Sequence, residues 1–93
     1  MAKRASYRDH HRMQRVSGKR DDAGHLAAIG ATVRARRLEF GVSQEALALL
    51  TGIDRSHMGR IERGQRNLTI LNLIRIADAL NISPSKLLKS SGL

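Results

Sequence analysis

The chain has 93 residues with one Phe, one Tyr and no Trp, so it can hold one small domain with a core of Leu, Ile, Val, Ala and Met, and not a large ligand cavity. It carries 17 Lys+Arg against 8 Asp+Glu, a formal charge of +9 that favours a polyanionic partner, either nucleic acid or an anionic membrane. The absence of cysteine excludes disulfides, thiolate zinc sites and a cysteine nucleophile.

Residues 1–24 set themselves apart. Lys3, Arg4, Arg8, Arg12, Arg15, Lys19 and Arg20 face only Asp9, Asp21 and Asp22, and no apolar stripe runs through them. This composition predicts a basic, flexible arm. It is either a solubilising tail or an arm that wraps DNA or enters a minor groove. It lacks the apolar centre of a signal peptide, and no apolar run in the chain approaches the roughly 20 residues that span a bilayer. We therefore expect a soluble protein of the cytoplasm. Residues 25–93 read as a single all-α domain of five helices.

From about His25 to Phe40 the pattern is helical. Leu26, Ile29, Val33 and Phe40 fall near one stripe, and Gly41 supplies a stop. Arg36 and Arg37 interrupt that stripe, and an arginine on an apolar face needs a partner or an escape to solvent. Ser43 then suits an N-cap, followed by Gln44, Glu45, Leu47, Ala48 and Leu50. Thr51-Gly52 ends this helix with a sharp turn that glycine can take at positive φ. Asp54 caps a third helix running to about Arg63, and Gly64 closes it. Residues 43–67 thus form two short helices joined by a tight turn, the second of them basic. That is the layout of a helix-turn-helix, which sets its second helix in the DNA major groove.

The third helix divides by face. Met58 and Ile61, with Ile53 ahead of them, point inward, while Arg55, Ser56, Gly59, Arg60 and Arg63 lie opposite. Gly59 costs roughly 1 kcal/mol of helix propensity relative to Ala. It is either tolerated or serves close approach to a sugar-phosphate wall. Thr69 caps a fourth helix with Ile70, Leu73, Ile74, Ala77 and Leu80 on its buried stripe, which Leu71 and Ile76 widen. Ser83-Pro84 opens a fifth, carrying Leu87 and Leu88.

Several elements stand in register over roughly 28–90: Val33-x-x-x-Arg37-x-x-x-Gly41, Ser43-Gln44-Glu45-x-Leu47-Ala48, Thr51-Gly52-Ile53, Ile61-Glu62-Arg63-Gly64 and Ile76-Ala77-x-Ala79-Leu80. Together they resemble the Cro/phage-repressor type of helix-turn-helix regulator, with its lambda-repressor-like fold. The runs Asp54-Arg55-Ser56-His57 and Arg66-Asn67-Leu68-Thr69 look most like the controller proteins of restriction–modification systems. The resemblance implies sequence-specific binding of double-stranded DNA. Arg55, Ser56 and Arg60 would read base edges. Gln44, Arg63, Arg66 and Asn67 would hold phosphates and fix register. His57 would reach a phosphate or fill the rim between helices. Asp54 fits a cap better than a reader. Arg37 and Glu62 resemble the family's buried ion pair, which would answer the need of Arg37 for a partner. Arg36 departs from the family, which has an apolar residue there; it would snorkel to the surface and contact phosphate, or loosen the core.

One such unit reads few base pairs, and specificity in this class comes from two-fold dimers on half-sites about one helical turn apart, roughly 34 Å. Surplus apolar residues could make the interface, namely Leu71, Ile82, Leu87 and Leu88, with Ile76 and Leu93 as further candidates; their alternative is ordinary core. The helix-five region resembles the family's dimer surface, so an isologous homodimer on an inverted-repeat operator is expected. The alternative is an antitoxin that binds a toxin and represses its own operon. An enzyme or metal protein fits poorly. Asp9, His10 and His11 are adjacent on the arm, and adjacent residues on a flexible segment rarely make a closed site. His25 and His57 lack a carboxylate or histidine at i+3 or i+4. We expect no cofactor, metal or small-molecule effector, and no membrane partner.

Overall fold

The computed structural model describes residues 21 and 23–93, so the expected arm from Lys3 to Arg20, with Asp22, lies outside the described residues. Helices α1 (His25–Phe40), α2 (Gln44–Thr51), α3 (Arg55–Glu62), α4 (Ile70–Ala79) and α5 (Pro84–Ser90) follow in order, with no strand among the described residues. Their starts are where the side-chain caps put them. Ser43 Oγ accepts from the Ala46 N–H at 3.0 Å, Thr69 Oγ1 from the Asn72 N–H at 3.1 Å and Ser83 Oγ from the Lys86 N–H at 3.1 Å. Each cap satisfies one otherwise orphaned donor and stabilises its helix by about 1 kcal/mol. The first helix is capped differently. Gly24 has no side chain to offer, and Asp21 Oδ2 reaches in to accept from the N–H groups of Leu26 and Ala27 at 2.9 and 3.2 Å.

Every helix contributes to one core. Val33 of α1, Leu47 of α2, Met58 of α3, Ile76 of α4 and Leu87 of α5 are fully buried, and Leu80 at the end of α4 joins them. This corrects one expectation of the dimer surface. α5 packs on α1 and α4, and Leu87, at 0% exposure, is the side chain it buries in doing so. Leu87 therefore has no surface to give a second copy. Ile76 is equally buried. Ile82 and Leu88 are partly covered, packed against the core edge, and Leu71 stays 64% exposed.

Gly30, in the middle of α1, shows how closely the helices approach. A methyl group there would sit 2.3 Å from the Ile61 carbonyl oxygen and 2.6 Å from that of Glu62. The end of α3 thus rests directly on α1, with no side chain between them. Arg36 neither snorkels nor loosens the core. Its Nε donates to the Leu80 carbonyl at 2.9 Å and Nη2 to that of Asn81 at 3.2 Å, satisfying acceptors left open at the end of α4. Nη1 pairs with Glu39 at 3.0 Å. The guanidinium lies 5.6 Å from the Phe40 ring centroid. That contact accounts for Phe40, which the apolar stripe places inward and the structure leaves at the surface.

Candidate nucleic-acid interface

The turn between α2 and α3 fixes how the basic helix is presented. The Thr51 hydroxyl donates back to the Leu47 carbonyl at 2.8 Å and accepts the Ile53 N–H at 3.3 Å. Gly52 takes φ 74°, and its N–H closes on the Ala48 carbonyl at 2.9 Å. Asp54 then caps α3: its Oδ2 accepts the Ser56 hydroxyl at 2.7 Å and the N–H groups of Ser56 and His57 at 3.1 and 3.4 Å. The Ser56 hydroxyl, then the His57 N–H, hold the Asp54 carboxyl below its ordinary range, against the opposing effect of desolvation. Asp54 is thus occupied as a cap. Ser56 lends its hydrogen to that cap and keeps its lone pairs for a donor outside.

α3 lies on the core through Met58 and Ile61, and the opposite side is free. Arg55, Ser56 and Arg60 are exposed, as are Arg63 beyond the helix end and Arg66 and Asn67 in the following loop. His57 is half-buried at the rim. The residues named as base readers are therefore exposed on the side of α3 away from the core, and Arg63, Arg66 and Asn67, named as phosphate ligands, are exposed in the segment that follows. Gly59 is the exception to the expected face. It is buried, and a Cβ on it would lie 3.1 Å from Arg63 Nη1 and 3.3 Å from Gln44 Oε1.

Behind this surface lies the ion pair that the resemblance implies. Arg37 Nε donates to Glu62 Oε2 at 2.7 Å and Nη2 to Oε1 at 3.1 Å, with the side chains only 9% and 2% exposed. Arg37 Nη1 also donates to the Val42 carbonyl at 3.0 Å. The hydrogen bond to Glu62 raises the affinity of Arg37 for its proton, more than burial lowers it. Gln44, half-buried at the first position of α2, donates its Nε2 to Glu62 Oε1 at 3.1 Å. One carboxylate therefore ties α1, α2 and α3 together.

Residues overlooked in the sequence are Gly30 and Asp21. A glycine inside a helical pattern costs propensity and so signals a close contact, but not with what. Asp21 sits too far ahead of α1 for the usual cap spacing.

Residues 33–87 match the family model described as helix-turn-helix. The control protein C.SmaI of Serratia marcescens is 43% identical over 65 residues, covering 70% of this chain and 77% of its own length. The control protein C.BamHI of Bacillus amyloliquefaciens is 40% identical over 61 residues, covering 64% of this chain and 75% of its own. Among solved structures, the restriction-modification controller protein C.AhdI from Aeromonas hydrophila superimposes with a TM-score of 0.65 at 47% identity, over 67% of this chain and 94% of that one. An exposed arginine helix on a five-helix core, a family model matched over more than half the chain and relatives of this identity agree: the chain belongs to the helix-turn-helix family of DNA-binding transcriptional regulators, of the restriction–modification controller type.

Proposed function

We propose that this regulator binds an inverted-repeat operator as a homodimer, with α3 of each copy in the major groove. Arg55, Ser56 and Arg60 read base edges; Gln44, His57, Arg63, Arg66 and Asn67 hold the backbone. The observation that carries this reading is the exposure of Arg55, Ser56 and Arg60 together on one side of a helix whose other side is locked into the core. A guanidinium fork on guanine discriminates by roughly 1–3 kcal/mol, and two copies double the number of such contacts. Leu71 anchors the proposed dimer surface. It is a large apolar side chain left open on α4, and the uncovered edges of Ile82 and Leu88 extend that surface. No described helix is long and apolar enough to cross a membrane.

Fluorescence anisotropy across a salt series tests the assignment, comparing the DNA just upstream of the gene with a shuffled duplex. The upstream duplex is expected to bind at least a thousandfold more tightly, with both affinities falling as salt rises. Equal affinity for the two duplexes counts against an operator at that position. Mixing with the product of a neighbouring toxin gene, if there is one, then separates the antitoxin alternative.

A further inference from the structure

Of the three proposed base readers, Arg55 and Arg60 can only donate, because a guanidinium carries no acceptor. Ser56 differs from them. A hydroxyl carries one hydrogen and two lone pairs, so a serine in the major groove ordinarily serves a base donor or a base acceptor. Here the hydrogen is already placed. Ser56 Oγ lies 2.7 Å from Asp54 Oδ2, closer than the 3.1 and 3.4 Å at which the same oxygen accepts the N–H groups of Ser56 and His57. An ionised carboxylate only accepts, so the hydroxyl is the donor. A bond to an ionised partner is also roughly twice as strong as one between neutral groups.

Asp54 is held in this role by its place in the chain. It caps α3, and the oxygen that takes the Ser56 hydroxyl also takes the two N–H groups. The same bonds keep its carboxyl below the ordinary range, so at neutral pH it is ionised and has no hydrogen to return. Among the described residues none donates to Ser56 Oγ, and Ser56 is exposed. Its lone pairs are left for a donor from outside the protein. Base edges in the major groove divide on this criterion. Adenine N6 and cytosine N4 carry hydrogens, whereas guanine and thymine present acceptors only.

Resting on the reading of Ser56 as a base reader, we propose that Asp54 fixes Ser56 as an acceptor, so that Ser56 selects an amino-bearing base, adenine or cytosine, on the strand it contacts and rejects guanine and thymine there. Asp54 is a positioning residue, which sets a base preference without touching the DNA. Each α3 then reads both polarities, with donors at Arg55 and Arg60 and an acceptor between them at Ser56.

Selection from a pool of randomised duplexes, by wild type and by Ser56→Ala, first locates the base pair whose preference the variant loses. Anisotropy on the duplex selected by wild type then probes that pair. N6-methyladenine or N4-methylcytosine keeps the pairing hydrogen and puts a methyl group in place of the one facing the groove. It is expected to weaken wild type roughly tenfold and to leave Ser56→Ala unchanged. Exchanging the two bases of the pair between strands is expected to cost wild type about the same factor, but Asp54→Ala no more than about twofold, because a freed hydroxyl donates as readily as it accepts. Asp54→Asn, whose amide oxygen still accepts the hydroxyl, is expected to restore the full cost. A merely structural cap would instead lower the Tm of Asp54→Ala and weaken its preference at every pair alike. A methylated duplex bound as tightly as the unmodified one, or a folded Asp54→Ala that keeps the full cost of the exchange, overturns the fixed polarity and leaves Ser56 a reader. If Ser56→Ala selects the wild-type sequence, or wild type selects none, the base reading of Ser56 falls and the proposal with it. Should Asp54→Ala fail to fold, the methyl comparison between wild type and Ser56→Ala decides alone.

Discussion

Replacing Arg37 by Met keeps most of the aliphatic stem and removes the charge. Glu62, whose side chain is 2% exposed, then loses both guanidinium donors and keeps only Gln44 Nε2 on Oε1; Oε2 is left with none. Stripping one partner from a buried pair costs about 3–5 kcal/mol, because the remaining charge has neither water nor counter-ion. The Val42 carbonyl also loses its donor from Arg37, adding roughly 1 kcal/mol. Domains of this size have only about 5–15 kcal/mol of total stability, so much of it disappears. At roughly 4–8 °C per kcal/mol, the Tm is expected to fall by about 16–48 °C. Urea denaturation followed by circular dichroism measures this directly, and an unchanged m-value shows that the difference is one of stability. The double variant Arg37→Met/Glu62→Met removes both charges and is expected to recover at least about 2 kcal/mol of the loss, since an apolar replacement of a buried pair is often neutral. A loss under about 1 kcal/mol in Arg37→Met, the scale of a solvent-screened pair, would refute the argument. So would a double variant as unstable as the summed singles.

Other consequences are as direct. Gly30→Ala gains helix propensity but drives a methyl group to 2.3 Å from a backbone oxygen, and a net loss of about 3 kcal/mol is expected in the same denaturation assay; a variant as stable as wild type would mean α1 and α3 can separate freely. Arg55→Ala and Arg60→Ala are each expected to reduce the preference for operator over shuffled DNA by roughly 1–3 kcal/mol without changing the Tm, read by anisotropy; an unchanged preference removes them as readers. Asp54 has a folded-state pKa below its ordinary 3.8, so the native state binds that proton less readily than the unfolded chain. Its contribution is therefore present above the ordinary value and lost as pH falls through the lower folded value. Asp54→Asn keeps a cap acceptor and is expected to match wild type near neutrality while losing less stability as pH falls below the ordinary carboxylate value. Leu71→Asp places a charge on an open side chain, and sedimentation analysis is expected to show a monomer of undiminished Tm; a persistent dimer moves the interface elsewhere.

Much of this molecule is legible in the sequence because its signals are local. A cap bonds an N–H two or three residues on, and a stop glycine acts on the turn before it. Ser43, Asp54, Thr69 and Ser83 thus mark four helix starts where the structure has them. The outward face of α3 follows from the 3.6-residue period, and Arg55, Ser56 and Arg60 are exposed as that period requires. The same local rules fail where a second helix supplies the neighbour. Periodicity puts Gly59 with the arginines, but Gln44 and Arg63 fold over it. Arg36 looks like an intruder in an apolar stripe until the end of α4 arrives with two unpaired carbonyls. Leu71 and Leu87 are both surplus leucines by pattern; α5 docking on α1 and α4 buries one and leaves the other open. Local hydrogen bonding and helical phase determined the elements, whereas close approach, carbonyl capping and the division between core and interface depended on which surfaces tertiary packing brought together.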